Sequence, residues 1–270
     1  MQTLTRSTDS RGVLTLTLQR PEVHNAFDAL MISELTEALT VAGNSNTVRI
    51  VIITGAGKCF SAGADMHWMR SLVDASVEDN HADALRLAKL LRRLNYLSKP
   101  TIARINGAAF GGGLGLIAAC DITIAAETAR FGLTEARLGL APAVISPYVF
   151  RRIGERNARR YFLTGERFDC RRAMDIGLLQ QAVAEKDLDP AIEDVIGQLL
   201  LNGPEAVMQC KQLVFDVAGH DLAQQKALDE HTAGLIARLR VSAEGQEGLA
   251  AFLEKRQPDW VEERQQHKDG

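Results

Sequence analysis

Seven residues, Val48-Arg49-Ile50-Val51-Ile52-Ile53-Thr54, form a nearly continuous apolar run that ends at Gly55. So many β-branched residues in succession predict a strand buried on both faces, as in a parallel sheet covered by helices. The neighbouring segments supply those helices. Residues 29–42 place Leu30, Ile32, Leu35, Leu39 and Val41 at helical spacing. Residues 77–96 do the same with Leu85, Leu87, Leu90, Leu91 and Leu94, and Ser98-Lys99-Pro100 ends the helix. Residues 12–18 alternate apolar and polar side chains, which predicts a half-buried strand closed by Arg20-Pro21. Two further strands are expected at 101–105, before Asn106-Gly107, and at 121–125. From about Arg156 helical patterns dominate, at 157–163, 171–176, 190–201, 204–217, 222–239 and 244–255, with one strand at 178–183. The chain therefore reads as an α/β core followed by a mostly helical C-terminal region.

Composition narrows the function classes. The 270 residues carry 31 basic and 34 acidic side chains, a net charge of −3, which gives no overall case for nucleic acid or a membrane surface. No apolar stretch reaches the ~18 residues needed to span a bilayer. Met1-Gln2-Thr3-Leu4-Thr5-Arg6 lacks the apolar run of a secretory signal, so a cytoplasmic location is expected. Cys59, Cys120, Cys170 and Cys210 are scattered without a CxxC pair. They read as small buried residues of a reducing compartment, and no metal site is expected. Aromatics are only 5%, so the core must be aliphatic.

Three segments could carry chemistry. Lys58-Cys59-Phe60-Ser61-Ala62-Gly63-Ala64-Asp65-Met66 follows a buried strand, and its small residues let backbone N–H groups approach a ligand. Asn106-Gly107-Ala108-Ala109-Phe110-Gly111-Gly112-Gly113-Leu114-Gly115 leads into a helix whose first N–H groups are unpaired. Two such ends converging would make an oxyanion hole. Phe131-Gly132-Leu133-Thr134-Glu135 sets one carboxylate among apolar neighbours, where its pKa would rise. Each has a plainer explanation: glycines as packing devices, and Glu135 ion-paired, for instance with Arg137.

In order and spacing these segments together resemble the crotonase, or enoyl-CoA hydratase/isomerase, superfamily over nearly the whole chain. The resemblance includes Leu18-Gln19-Arg20-Pro21 with Asn25-Ala26, Cys120-Asp121, Gly245-Gln246-Glu247-Gly248 and Phe252-Leu253-Glu254-Lys255-Arg256. It implies a spiral of ββα repeats over residues 1–200 and a helical oligomerisation region over 201–270, in a homotrimer or a dimer of trimers. It implies an acyl-CoA thioester as ligand, with CoA as part of the substrate and no separate cofactor. The backbone N–H groups of Ala64 and Gly112 would hold the thioester oxygen, and Glu135 would transfer protons. Ala62, Ala64, Asp65, Met66, Gly112 and Lys255 would contact the CoA ester. Many relatives carry lysine where this chain has Glu22.

One departure is informative. Two-glutamate hydratases have glutamate two residues beyond the third glycine, where this chain has Gly115. One carboxylate is missing, and Glu135 would have to serve both proton transfers of a syn hydration. The stretch Glu135-Ala136-Arg137-Leu138-Gly139-Leu140-Ala141-Pro142-Ala143-Val144-Ile145-Ser146-Pro147-Tyr148 is similar to bacterial 3-methylglutaconyl-CoA hydratases of leucine catabolism and their relatives in acyclic terpene catabolism. Their substrates carry a second carboxylate, for which His67, Arg70 and Arg86 are the candidate partners. An isomerase or decarboxylase on the same fold, or a non-catalytic scaffold or RNA-binding relative, are the alternatives.

Overall fold

The computed structural model describes residues 1–262; the last eight positions of the expected oligomerisation region 201–270 lie outside the described residues. The strands are β1 (Leu4–Thr8), β2 (Val13–Leu18), β3 (Ile50–Gly55), β4 (Cys59–Ser61), β5 (Thr101–Ile105), β6 (Ala108–Phe110), β7 (Ile122–Ala126), β8 (Arg130–Gly132), β9 (Arg167–Asp169) and β10 (Gln181–Val183). The helices are α1 (Ala29–Asn44), α2 (Met66–Ser71), α3 (Val77–Asn95), α4 (Gly112–Ala119), α5 (Ser146–Thr164), α6 (Cys170–Asp175), α7 (Leu188–Leu200), α8 (Pro204–Val217), α9 (Leu222–Val241), α10 (Ala243–Glu254) and α11 (Asp259–Glu262).

A six-stranded sheet runs β1-β2-β3-β5-β7-β10, and a four-stranded sheet runs β4-β6-β8-β9. Only the edge pairs β1–β2 and β8–β9 are antiparallel. After each of β3, β5 and β7 the chain crosses within a few residues to β4, β6 and β8 of the second sheet, then enters helices. Three successive ββα units thus stack in register, the spiral that the sequence resemblance implies.

The apolar run at β3 is buried on both faces. Val51 and Ile53 join Leu14, Leu16 and Ala103 in the main core. Ile50 and Ile52 face the other way with Val13, Ile102 and Ile124, against Leu188, Ile192 and Ile196 of α7. Of the five apolar residues expected to hold α1, Leu30 and Val41 are exposed, and the buried stripe is Met31, Ile32, Leu35, Ala38, Leu39 and Ala42. α5 is two helical stretches joined at a kink: Pro147 fits the first turn of the one that starts at Ser146, Gly154 (φ 72°, ψ 165°) breaks the helical backbone, and the helix expected at 157–163 is the second stretch. Of the cysteines, Cys120 and Cys170 are buried, but Cys59 is half-buried and Cys210 exposed.

Beyond residue 200 the chain returns to the core. α9 packs along α3, and α10 covers α2 and the 3₁₀ turn Glu135–Leu138. Ile236 and Leu249 are therefore already buried in the single chain, and Leu235 and Leu239 are half-buried. The most exposed apolar residues of this region are Leu201 and, on α8, Leu213, Val214 and Val217, ahead of Leu222, Leu228 and Val241 on α9 and Phe252 on α10. No helix among the described residues is long and apolar enough to cross a membrane.

Candidate active site

A cavity of about 290 Å³ opens where the two sheets' loops meet the C-terminal helices. Its first polar group comes from the loop after β4. This loop pairs with Phe27 as a one-residue bridge at Ala64. Phe27 N donates to Gly63 O at 2.6 Å, and Asp65 N donates to Phe27 O at 2.8 Å. Successive peptide groups of an extended chain point to opposite sides, so the Ala64 N–H faces away from Phe27. It has no acceptor among the described residues, and Ala64 lines the cavity.

The second group comes from the start of α4. Gly111 adopts φ 49°, a left-handed conformation, and starts the helix there. Gly112 is the first helical residue, and its N–H has no partner among the described residues. A Cβ at Gly112 would lie 2.8 Å from the Phe27 ring, so only glycine brings the backbone this close. A Cβ on Gly63 would lie 3.8 Å from Gly111 Cα, so the two loops run side by side. Two free N–H groups on adjacent loops of one cavity can bind one oxygen that gains negative charge.

Glu135 completes the set. It begins the 3₁₀ turn three residues after the end of β8, and Oε1 approaches within 3.1 Å of where a Gly111 Cβ would stand. Oε2 is buried without a hydrogen-bond partner. Burial pushes the carboxyl pKa up to about 7, against the lowering effect of its own backbone N–H. The ion pair with Arg137 does not form. Glu135 is the only carboxylate lining the cavity among the described residues. The place of a second carboxylate is filled: a Cβ on Gly115 would lie 2.6 Å from Ile145 Cγ2 and 3.3 Å from Leu91 Cδ1.

Not every expected contact residue reaches the cavity. Ala62, Ala64 and Gly112 line it. Asp65 does not; it is 3% exposed and committed to capping α2 through His67 N and Trp68 N and to Arg20 Nη2 at 2.9 Å. Met66 and Lys255 are exposed and outside the lining. The three cations expected for a distal carboxylate are also elsewhere. His67 and Arg70 are exposed, and Arg86 binds Asp83 at 2.8 Å. Arg137, Arg167 and Arg240 line the cavity instead. In the sequence Arg240 is one more cation in the last turn of a long helix, where a solvated side chain is the ordinary case. Only the packing of α9 on α3 turns it inward. The described residues contain no cluster of three His, Cys, Asp or Glu side chains that could hold a metal ion.

The family model for enoyl-CoA hydratase/isomerase matches residues 8–264. A crotonyl-CoA hydratase of Syntrophomonas wolfei is 32% identical over 248 residues, 91% of this chain and 93% of its own. A 2,3-dehydroadipyl-CoA hydratase of Escherichia coli is 32% identical over 251 residues, 92% of this chain and 94% of its own. Among solved structures, an enoyl-CoA hydratase of Shewanella pealeana superposes with a TM-score of 0.78 at 45% identity, covering 96% of both chains.

Proposed function

The chain belongs to the enoyl-CoA hydratase/isomerase family, the crotonases, and we propose that as an enoyl-CoA hydratase it uses a single carboxylate, Glu135, for both proton transfers. The N–H groups of Ala64 and Gly112 hold the thioester oxygen of an α,β-unsaturated acyl-CoA. Ionised Glu135 takes a proton from a water molecule as its oxygen bonds to the β-carbon. The displaced π electrons move through the α-carbon to the thioester oxygen, where the two donors stabilise the enolate by several kcal/mol, ~3 for a single donor. The enolate then takes the proton from Glu135 at the α-carbon, and the carboxylate is restored. Water oxygen and proton add to the same face. The carrying observation is the buried Oε2 of Glu135, unpartnered among the described residues, on the one carboxylate that they place in the cavity wall. A pKa of about 7 keeps both of its protonation states accessible at neutral pH.

For the acyl group, the reading is 3-methylglutaconyl-CoA or a related carboxylated, branched enoyl-CoA of leucine, isovalerate or acyclic terpene degradation. Three arginines in the cavity wall favour an anionic acyl chain. The E. coli relative's name specifies a dicarboxylic acyl group. CoA enters as part of the substrate, and no further cofactor is required. A cytoplasmic homotrimer, or a pair of trimers, is the proposed working form. One carboxylate also suffices for a double-bond isomerase, and the filled site at Gly115 favours that second reading. The test is a panel of enoyl-CoAs with and without a distal carboxylate, followed by product mass. A product heavier by one water supports hydration. Unchanged mass with a moved double bond supports isomerisation and overturns it.

A further inference from the structure

Arg240 is the most enclosed cation of the cavity wall, with a side chain 14% exposed. Its guanidinium lies over the Trp68 indole, 5.9 Å from the ring centroid. Nη1 donates to Asp83 Oδ2 at 3.2 Å and to Asn80 Oδ1 at 3.4 Å. Both acceptors are fixed, with Asp83 1% and Asn80 0% exposed. Asp83 is shared, because its Oδ1 also accepts from Arg86 Nη2 at 2.8 Å and from Trp68 Nε1 at 3.3 Å. One carboxylate thus serves two guanidinium groups, and one positive charge is left over. Nε and Nη2 of Arg240 have no partner among the described residues. Trp68, Leu72, Leu87 and Ile236 make the same wall otherwise apolar. A guanidinium held in such a wall with free donors is matched by a bidentate anion. Burial also draws its pKa down, so an anionic guest restores what desolvation takes.

We propose that Arg240 binds a carboxylate at the end of the acyl group remote from the thioester, and so selects carboxylated over uncharged enoyl-CoAs. This rests on the hydratase reading of the same cavity. The phosphates of CoA are the other anion that this chemistry would accept, and the test separates the two. Two enoyl-CoAs of equal length are compared, one ending in a carboxylate and one in a carboxamide, with kcat/KM measured for wild type, Arg240→Gln and Arg240→Lys. Wild type is expected to prefer the carboxylate. In Arg240→Gln the ratio of the two values falls roughly 10²-fold, the worth of a buried charge-assisted pair. In Arg240→Lys, which keeps the charge and loses the fork, it falls roughly tenfold. If Arg240→Gln fails to fold, the Lys variant carries the test by the same ratio. Loss of both rates with an unchanged ratio, from structural damage or a phosphate contact, overturns the proposal. Equal wild-type rates on both esters overturn it while hydration stands. Wild-type activity on neither ester overturns the hydratase reading itself.

Discussion

Burial, with no neighbouring charge to offset it, sets the chemistry of Glu135. In the unfolded chain its carboxyl titrates near 4.5, and in the folded chain at about 7. The folded state therefore holds the proton more tightly, and stability falls as pH rises from 4.5 to 7. Below that window there is no penalty; above it the whole penalty is present, on the order of 3 kcal/mol at ~1.4 kcal/mol per pH unit. Glu135→Gln has no charge to bury, so denaturant melts should find it more stable than wild type at pH 8, with the gap closing toward pH 4.5. The same variant should lose ~10²–10⁴-fold in kcat, while an unreactive acyl-CoA still binds. Near-native turnover would place the catalyst elsewhere. Gly115 sets a second condition. Ile145 and Leu91 occupy the space that a side chain there needs. Gly115→Glu adds overpacking of ~1–3 kcal/mol and a buried charge. It should lower the melting temperature and inactivate the enzyme rather than restore a two-carboxylate site. Pairing it with Ile145→Ala should recover part of the thermal loss.

At the level of single elements, legibility followed length and burial. β3 is readable because a doubly buried strand must be almost wholly apolar, β5 because Asn106-Gly107 ends its run, and α8 because Pro204 marks its first turn. β1 gave no signal: as an edge strand it buries Leu4 alone. The four strands of the second sheet have three residues each, too few for any periodicity to show. β4 and β6 fall within the glycine-rich segments and β8 overlaps the third, so these locate the site without revealing the sheet, and β9 leaves no such mark. Asp65 shows the limit of motif reading. It stands in the right loop, yet its oxygens are spent on the N-terminus of α2 and on Arg20. Asp65→Ala should therefore cost ~1–3 kcal/mol of stability in urea unfolding. CoA-ester affinity should fall only as far as the loop bearing Ala64 loosens. Asp65→Asn keeps an acceptor for the cap and should retain more of both. An affinity loss with no change in stability would make Asp65 a ligand contact after all.

For the molecule as a whole, the long C-terminal helices divide their apolar side chains between the chain's own core and solvent. α9 and α10 bury Ile236 and Leu249 at the cavity wall, and Leu235 and Leu239 are half-buried in the single chain. The periodic pattern of a helix tells which side is apolar and not which partner it meets. The most exposed apolar surface lies on α8, which buries none of its residues and leaves Leu213, Val214 and Val217 at 59%, 65% and 80% exposed. Leu201, just before it, is 80% exposed. A helix in that condition adds little to the fold of its own chain and is suited to cover by another copy. If the proposed homotrimer uses this face, the wild-type protein sediments at micromolar concentration with the mass of three or six chains. Val214→Asp with Val217→Asp places two charges on the face without touching the buried core. The pair should shift the distribution toward the monomer while leaving the far-ultraviolet circular dichroism unchanged. A double variant that keeps the full assembly mass would move the contact to another face, and a wild-type monomer at that concentration would remove the trimer altogether.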